Sequence, residues 1–192
     1  MGVDALNARA VFLDRDGVLT RAVVRGGKPY PPSSADSMEL FPDAAEALRR
    51  LKAAGYRLVV VTNQPDVARG GQRREVVEAI NAALVARVPI DEVRVCYHDD
   101  ADRCGCRKPK PGLLLQEPVP DLTESVIIGD RWRDIEAGRR AGVRAAVLID
   151  RGYDEPMVVE PDVRVHSLSE AADWILAGFK ACVTPVSAGQ PT

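Results

Sequence analysis

Short runs of uninterrupted apolar residues alternate along this chain with longer stretches in which apolar positions recur at helical spacing. AVFLD (10–14), RLVVVT (57–62), VRVC (93–96), SVIIG (125–129) and RAAVLI (144–149) are apolar nearly throughout, so they read as strands buried on both faces. Between them, residues 43–54 place Ala44, Ala47, Leu48 and Leu51 on one helical face, with Pro42 ahead and Gly55 closing the end. A second helix over 73–87 gathers Val76, Val77, Ile80, Ala83 and Leu84, and a third spans 132–141. A last helix over 168–178 turns Leu168, Ala172, Ile175 and Leu176 inward, while GGKPYPPSS (26–34) reads as a polar loop.

Such strands, separated by amphipathic helices, form parallel βαβ units. The pattern therefore predicts an α/β fold: a doubly wound, Rossmann-like parallel sheet with helices on both faces. Single helices and loops fill the spans between strands, which leaves no room for a large inserted cap domain. One domain over 1–181 is expected, with the Pro-, Ser- and Gly-rich residues 182–192 as a flexible tail.

In a doubly wound sheet the ligand sits beyond the carboxyl ends of the strands, where loops and helix N-termini converge. The residues just after the strands are Asp14 and Asp16 in DRDGVLT, Thr62 and Asn63 in TNQ, and Asp130 and Asp134 in GDRWRD; Arg107 and Lys108 follow the strand at 93–96 after a short excursion. Carboxylates brought to one sheet edge repel one another and call for a hard divalent cation, for which Mg2+ is the natural occupant because it favours oxygen ligands and substrate phosphate. Lys108 and the small polar donors then suit phosphoryl oxygens. A carboxylate can accept a phosphoryl group, and a second one two residues on can shuttle the proton.

Composition narrows the partners. A net charge of −2, with 46% hydrophobic and 28% charged residues, gives no electrostatic bias toward nucleic acid or anionic lipid. No apolar run approaches the roughly 18 residues of a membrane span, and the N-terminus lacks a basic, then apolar, leader; a cytoplasmic protein without nucleic-acid or membrane partner is expected, acting as a monomer on a small phosphorylated molecule. Three of the four cysteines and one of the two histidines crowd into CYHDDADRCGC (96–106). In a reducing compartment this crowding argues for a metal rather than a disulfide framework. Cys182 stands apart as a free thiol.

The set DRDG (14–17), TNQ (62–64), RKPKPG (107–112) and GDRWRD (129–134) resembles the four signature motifs of the haloacid dehalogenase superfamily of phosphatases, from about residue 10 to 176. The C-x-H and C-x-C-R-K-P run resembles the subgroup that contains heptose bisphosphate phosphatases and the histidinol-phosphatase domain. The resemblance implies Asp14 as nucleophile and Asp16 as general acid/base, with Mg2+ held by Asp14, the Asp16 carbonyl and Asp130. It implies that Thr62 and Lys108 stabilise the phosphoryl group, that Asn63, Arg107 and Arg131 serve substrate binding, and that Asp134 orients Lys108 or the metal shell. Cys96, His98, Cys104 and Cys106 would close a structural Zn2+ site that staples the excursion carrying Arg107 and Lys108. The Asp residues between those ligands are expected to form a solvated acidic loop.

Pro65-Asp66 after TNQ, Arg131 after Asp130 and the five residues between His98 and Cys104 depart from the heptose pattern, the last two toward histidinol phosphatases. ARGG (68–71), KPKPG and ADWIL resemble the heptose enzymes and favour them, with the 7-phosphate of D-glycero-D-manno-heptose 1,7-bisphosphate as the implied target and histidinol phosphate as the alternative. Arg25 and Tyr30 are candidate sugar contacts. Non-enzymatic alternatives are a zinc-loop binding protein or a phosphate sensor without turnover. His166, Trp132 and Trp174 lack a partner constellation and are expected to pack or to face solvent.

Overall fold

The computed structural model describes residues 8–180, so the expected tail and Cys182 lie outside the described residues. Its centre is a six-stranded sheet, all neighbours parallel, built from β1 (Ala10–Leu13), β4 (Arg57–Asn63), β5 (Glu92–Cys96), β6 (Val126–Gly129), β7 (Ala145–Ile149) and β8 (Val163–Val165) in the order β5-β4-β1-β6-β7-β8. Two further strands, β2 (Val23–Arg25) and β3 (Lys28–Tyr30), pair as an antiparallel hairpin. The helices are α1 (Ala44–Ala53), α2 (Arg74–Val85), α3 (Trp132–Ala141) and α4 (Leu168–Leu176).

Because strand side chains alternate between faces, the apolar runs split into two cores. Val11, Leu13, Leu58, Val60, Val126, Ile128, Val147 and Ile149 face one way, toward α1, α2 and α4. Ala10, Phe12, Val59, Val61, Ile127, Ala146 and Leu148 face the other, toward Ile135 and Ala137 of α3 and toward Leu113 and Leu114. Burial on both faces is the reason the strands are apolar throughout, and it bears out the expected doubly wound class. Among the described residues no helix is long and apolar enough to cross a membrane.

The structure departs from the sequence reading at three places. Residues 23–30 form a hairpin where a polar loop was expected: Gly26 and Gly27 take φ of +55° and +72°, the left-handed pair that a two-residue hairpin turn requires. Three-residue strands with Pro29 in one of them carry too little alternation to be read. β8 is equally short and runs along the sheet edge. In α4, Leu176 is 38% exposed and Trp174 takes the buried position instead, edge-on to Phe179 at 5.1 Å between ring centroids.

The chain runs outward from β1 through β4 to β5, then returns to β6 on the opposite side of β1. The topological switch point therefore lies between β1 and β6, and these two strands deliver Asp14 and Asp130 to the same crevice.

Candidate active site

β1 ends at Leu13, and the amide of Asp14 continues the pairing onto the carbonyl of Ile128 at 3.0 Å. This fixes Asp14 at the sheet edge. Lys108 reaches the same point: its Nζ lies 2.9 Å from Asp14 Oδ1, 2.6 Å from the carbonyl of Val61 and 2.5 Å from Asp134 Oδ1. Burial alone would pull the Lys108 ammonium down, but Asp134 and Asp14 outweigh it and hold it charged. Asn63 places Lys108 through its backbone, donating from Nδ2 to the Lys108 carbonyl at 3.0 Å and accepting from the Lys108 amide at 3.1 Å.

Asp134 also accepts from the Arg131 amide at 3.2 Å through its second oxygen, which caps α3. Both of its oxygens are thereby engaged, by Lys108 and by the helix start. Asp130 is the opposite case. It is buried, and no backbone amide, lysine or arginine among the described residues donates to either carboxylate oxygen. Burial, with Asp14 and Asp134 close by, pushes Asp130 well above the ordinary carboxylate range; burial likewise raises Asp14, to about 6, although Lys108 pulls the other way. One carboxylate oxygen each from Asp14, Asp130 and Asp134 falls within 4.8 Å of the others. A buried carboxylate without a cationic partner beside a second one, both hard oxygen donors, fits a divalent cation of the Mg2+ type.

Asp16 is clamped by four groups: Arg15 Nε at 3.1 Å and Nη2 at 2.8 Å, Thr20 Oγ1 at 3.1 Å and Gln64 Nε2 at 2.9 Å. Arg15 is fully buried and donates from Nη1 to Asn81 Oδ1 of α2 at 2.7 Å. Gln64 also donates to Thr62 Oγ1 at 2.9 Å, which leaves the Thr62 hydroxyl proton for another acceptor. Arg15, Gln64 and Asn81 were not singled out from the sequence. Asn81 left a trace there, a polar residue on the buried side of an amphipathic helix; Arg15 and Gln64 lie within quoted motifs but gave no sign of their partners.

Asp14, Asp16, Thr62, Asn63, Arg107, Lys108, Arg131 and Asp134 line one cavity of about 280 Å³, together with Tyr30 of the hairpin. Arg25 is not among its lining residues. Arg107 is held by Asp100 at 2.8 Å, and Arg131 by Glu155 through two bonds of 2.8 and 2.6 Å. The acidic residues of the excursion are thus more than a solvated loop: Asp99 caps a short turn over Asp100–Asp102 and accepts a forked pair from Arg69 at 2.8 and 2.6 Å.

Cys96 at the end of β5 meets His98, Cys104 and Cys106. The sulfurs lie 3.2, 3.5 and 3.8 Å apart, and His98 Nδ1 stands 3.3 Å from Cys106 and 3.7 Å from Cys96. Four tetrahedral ligands about 2.0–2.3 Å from Zn2+ would stand roughly 3.5–3.8 Å from one another, so the set fits that ion with small adjustments. Burial holds the Cys96 thiol far above its usual range, so a thiolate here needs a cation beside it.

A sheet edge that offers a clamped carboxylate pair, a charged lysine and a buried carboxylate without a cationic partner defines a hydrolase of the haloacid dehalogenase type. The family model for haloacid dehalogenase-like hydrolases matches residues 33–142, and the chain belongs to that family. It is similar to the D-glycero-beta-D-manno-heptose-1,7-bisphosphate 7-phosphatase of Pasteurella multocida (strain Pm70), with 37% identity over 158 residues that cover 75% of this chain and 83% of that one. The enzyme of the same name from Escherichia coli (strain K12) is 33% identical over 187 residues, 90% of each chain. Among solved structures, the D,D-heptose 1,7-bisphosphate phosphatase of B. bronchiseptica, complexed with magnesium and phosphate, matches with a TM-score of 0.71 and 27% identity over 88% of this chain and 99% of that one. The family expected from the motifs is the family found, and the chain is a phosphoric monoester hydrolase.

Proposed function

We propose that this enzyme is a magnesium-dependent sugar phosphatase that works through a phosphoaspartyl intermediate and removes the 7-phosphate of D-glycero-D-manno-heptose 1,7-bisphosphate. The observation that carries the reading is the pairing of Asp14, ion-paired with Lys108 through Oδ1, with the buried Asp130, which no amide or cationic side chain reaches, across the β1–β6 crevice. The names of the relatives support the substrate.

In this reading an oxygen of Asp14 attacks phosphorus while the bond from phosphorus to the sugar oxygen breaks, and Asp16 gives that oxygen its proton. Water then attacks the acyl phosphate; Asp16 takes a proton from it, inorganic phosphate leaves, and Asp14 is regenerated. Lys108 and the free hydroxyl proton of Thr62 bind the phosphoryl oxygens. Asn63 keeps Lys108 in place, and Arg107 and Arg131 hold the remainder of the substrate. Asp14, Asp130 and the Asp16 carbonyl would hold Mg2+, which supplies the positive charge that lets an anionic nucleophile approach an anionic phosphate. Cys96, His98, Cys104 and Cys106 would hold Zn2+ as a closed, structural site.

The test is a phosphate-release assay with the heptose bisphosphate, the heptose 7-phosphate, histidinol phosphate and simple hexose phosphates at matched concentration. The bisphosphate should give the highest kcat/KM and leave the 1-phosphate sugar as product. Preference for histidinol phosphate would overturn the substrate assignment.

A further inference from the structure

The irregular segment that follows β7 alternates between half-buried and exposed residues from Arg151 to Glu160. Its inward residues touch the active-site segments in order. Arg151 Nε donates to the carbonyl of Gly17 in the loop after β1 at 2.8 Å. Glu155 accepts from Arg131 and, at 3.0 Å, from the indole of Trp132. Met157 and Val159 pack on the second core. Tyr153 sits between these anchors, with its hydroxyl held close to the Asp130 carboxylate. Gly17 is the reason: a Cβ there would stand 1.7 Å from Asp130 Oδ2 and 3.0 Å from the Tyr153 hydroxyl oxygen, so both groups converge on the space the glycine leaves open. Asp130 and Tyr153 also line a second cavity of about 310 Å³, distinct from the one that opens onto Asp14, Thr62 and Lys108.

We propose that Tyr153 is a positioning residue for the acidic centre: carried by the strap after β7, its hydroxyl donates to Asp130 and fixes the carboxylate in the orientation that faces Asp14. A buried carboxylate without partners has several rotamers to choose from, and a cation has to select one. A phenol O–H aimed at one lone pair removes that freedom and leaves the remaining lone pairs for the metal. The residue touches neither phosphate nor the reacting atoms. The inference rests on the magnesium reading of Asp14 and Asp130.

Tyr153→Phe removes only the hydroxyl. Calorimetric titration of Mg2+ alone into the full chain, without substrate, should show the variant binding about 10–100-fold more weakly than the wild type, the usual cost of losing a group that orients a metal ligand. Its thermal midpoint without Mg2+ should be unchanged. In turnover, the Mg2+ concentration for half-maximal rate should rise by the same factor, while kcat at saturating Mg2+ and KM stay near wild type. Wild-type Mg2+ affinity in the variant overturns the proposal, as does a loss of kcat that excess Mg2+ does not restore. A wild-type protein that takes up no Mg2+ would instead overturn the magnesium reading, and this inference with it.

Discussion

The protein gathers groups that could hold a metal ion in two places, and the chain brings them together in opposite ways. Asp14 and Asp130 come from strands adjacent in the sheet but far apart in sequence, and each is fixed by backbone that the sheet itself holds. Cys96, His98, Cys104 and Cys106 come from eleven consecutive residues: Cys96 ends β5, and the other three lie on an excursion without strand or α-helix. The acidic centre is built by the sheet, with the Lys108 charge set between Asp14 and Asp134 and the Asp130 carboxylate left without a cationic partner. At the cysteine centre Cys96 is anchored in β5 and the second core, while Cys104 and Cys106 pack against that core from the excursion and Cys104 Sγ accepts one amide bond, from Arg107 at 3.4 Å. A sheet can hold charges in an unfavourable arrangement because its own burial offsets the cost, whereas a short polar loop has no such reserve. Removing a metal should therefore disarm the first centre and unravel the second.

The largest effect expected is on the acidic side. Asp14→Asn keeps the shape of the side chain and leaves the buried Lys108–Asp134 pair intact, so the fold should survive. Phosphate release should fall by at least about 10⁴-fold, since the proposed nucleophile is lost. Phosphate release measured beside a thermal melt checks both halves. Retained turnover would remove the covalent step from the mechanism.

On the other side, stripping Zn2+ with a selective chelator, or Cys104→Ser, should lower the thermal midpoint and the activity together. Loss of several kcal/mol of metal binding corresponds to a drop of about 10 °C for a chain of this size. Withdrawal of Mg2+ should stop turnover with little change in the melt. If zinc-free protein kept its midpoint and its rate, the excursion would be held by the Asp99–Arg69 and Asp100–Arg107 pairs instead, and the contrast between the two centres would disappear.

The same difference in assembly explains what could be read from the sequence. Strand and helix cores follow from local periodicity, and the expected helices at 43–54, 73–87, 132–141 and 168–178 differ from the observed ones by at most two residues at either end. The cysteine cluster was legible because all four ligands sit within one short stretch. The acidic centre was legible only in outline, as residues at strand ends. Which carboxylate is free and which is spoken for depends on contacts between distant segments: Lys108 onto Asp134, Gln64 and Arg15 onto Asp16, Asn81 onto Arg15. Tyr153 and Glu155 belong to a stretch with no strand or helix signal, and their alternation became meaningful only once the strap was seen lying across the loops of β1 and β6.

The smallest of the three effects concerns protons at the acidic centre. In the metal-free protein, burial raises the Asp14 carboxyl to about 6, against the pull of Lys108. Protons and Mg2+ then compete for the same carboxylate. Above pH 6 Asp14 is ionised and Mg2+ binds without displacing a proton there; below pH 6 each unit of acidification weakens Mg2+ binding toward tenfold. Calorimetric Mg2+ affinity should therefore be at least about tenfold weaker at pH 5 than at pH 7, with protons released as Mg2+ binds. Buried Asp130 adds to the slope in the same direction, because its folded-state value is also raised. The sign matters more than the size. A profile flat down to pH 5 would show that Lys108 already keeps Asp14 ionised, so that Mg2+ displaces no proton there.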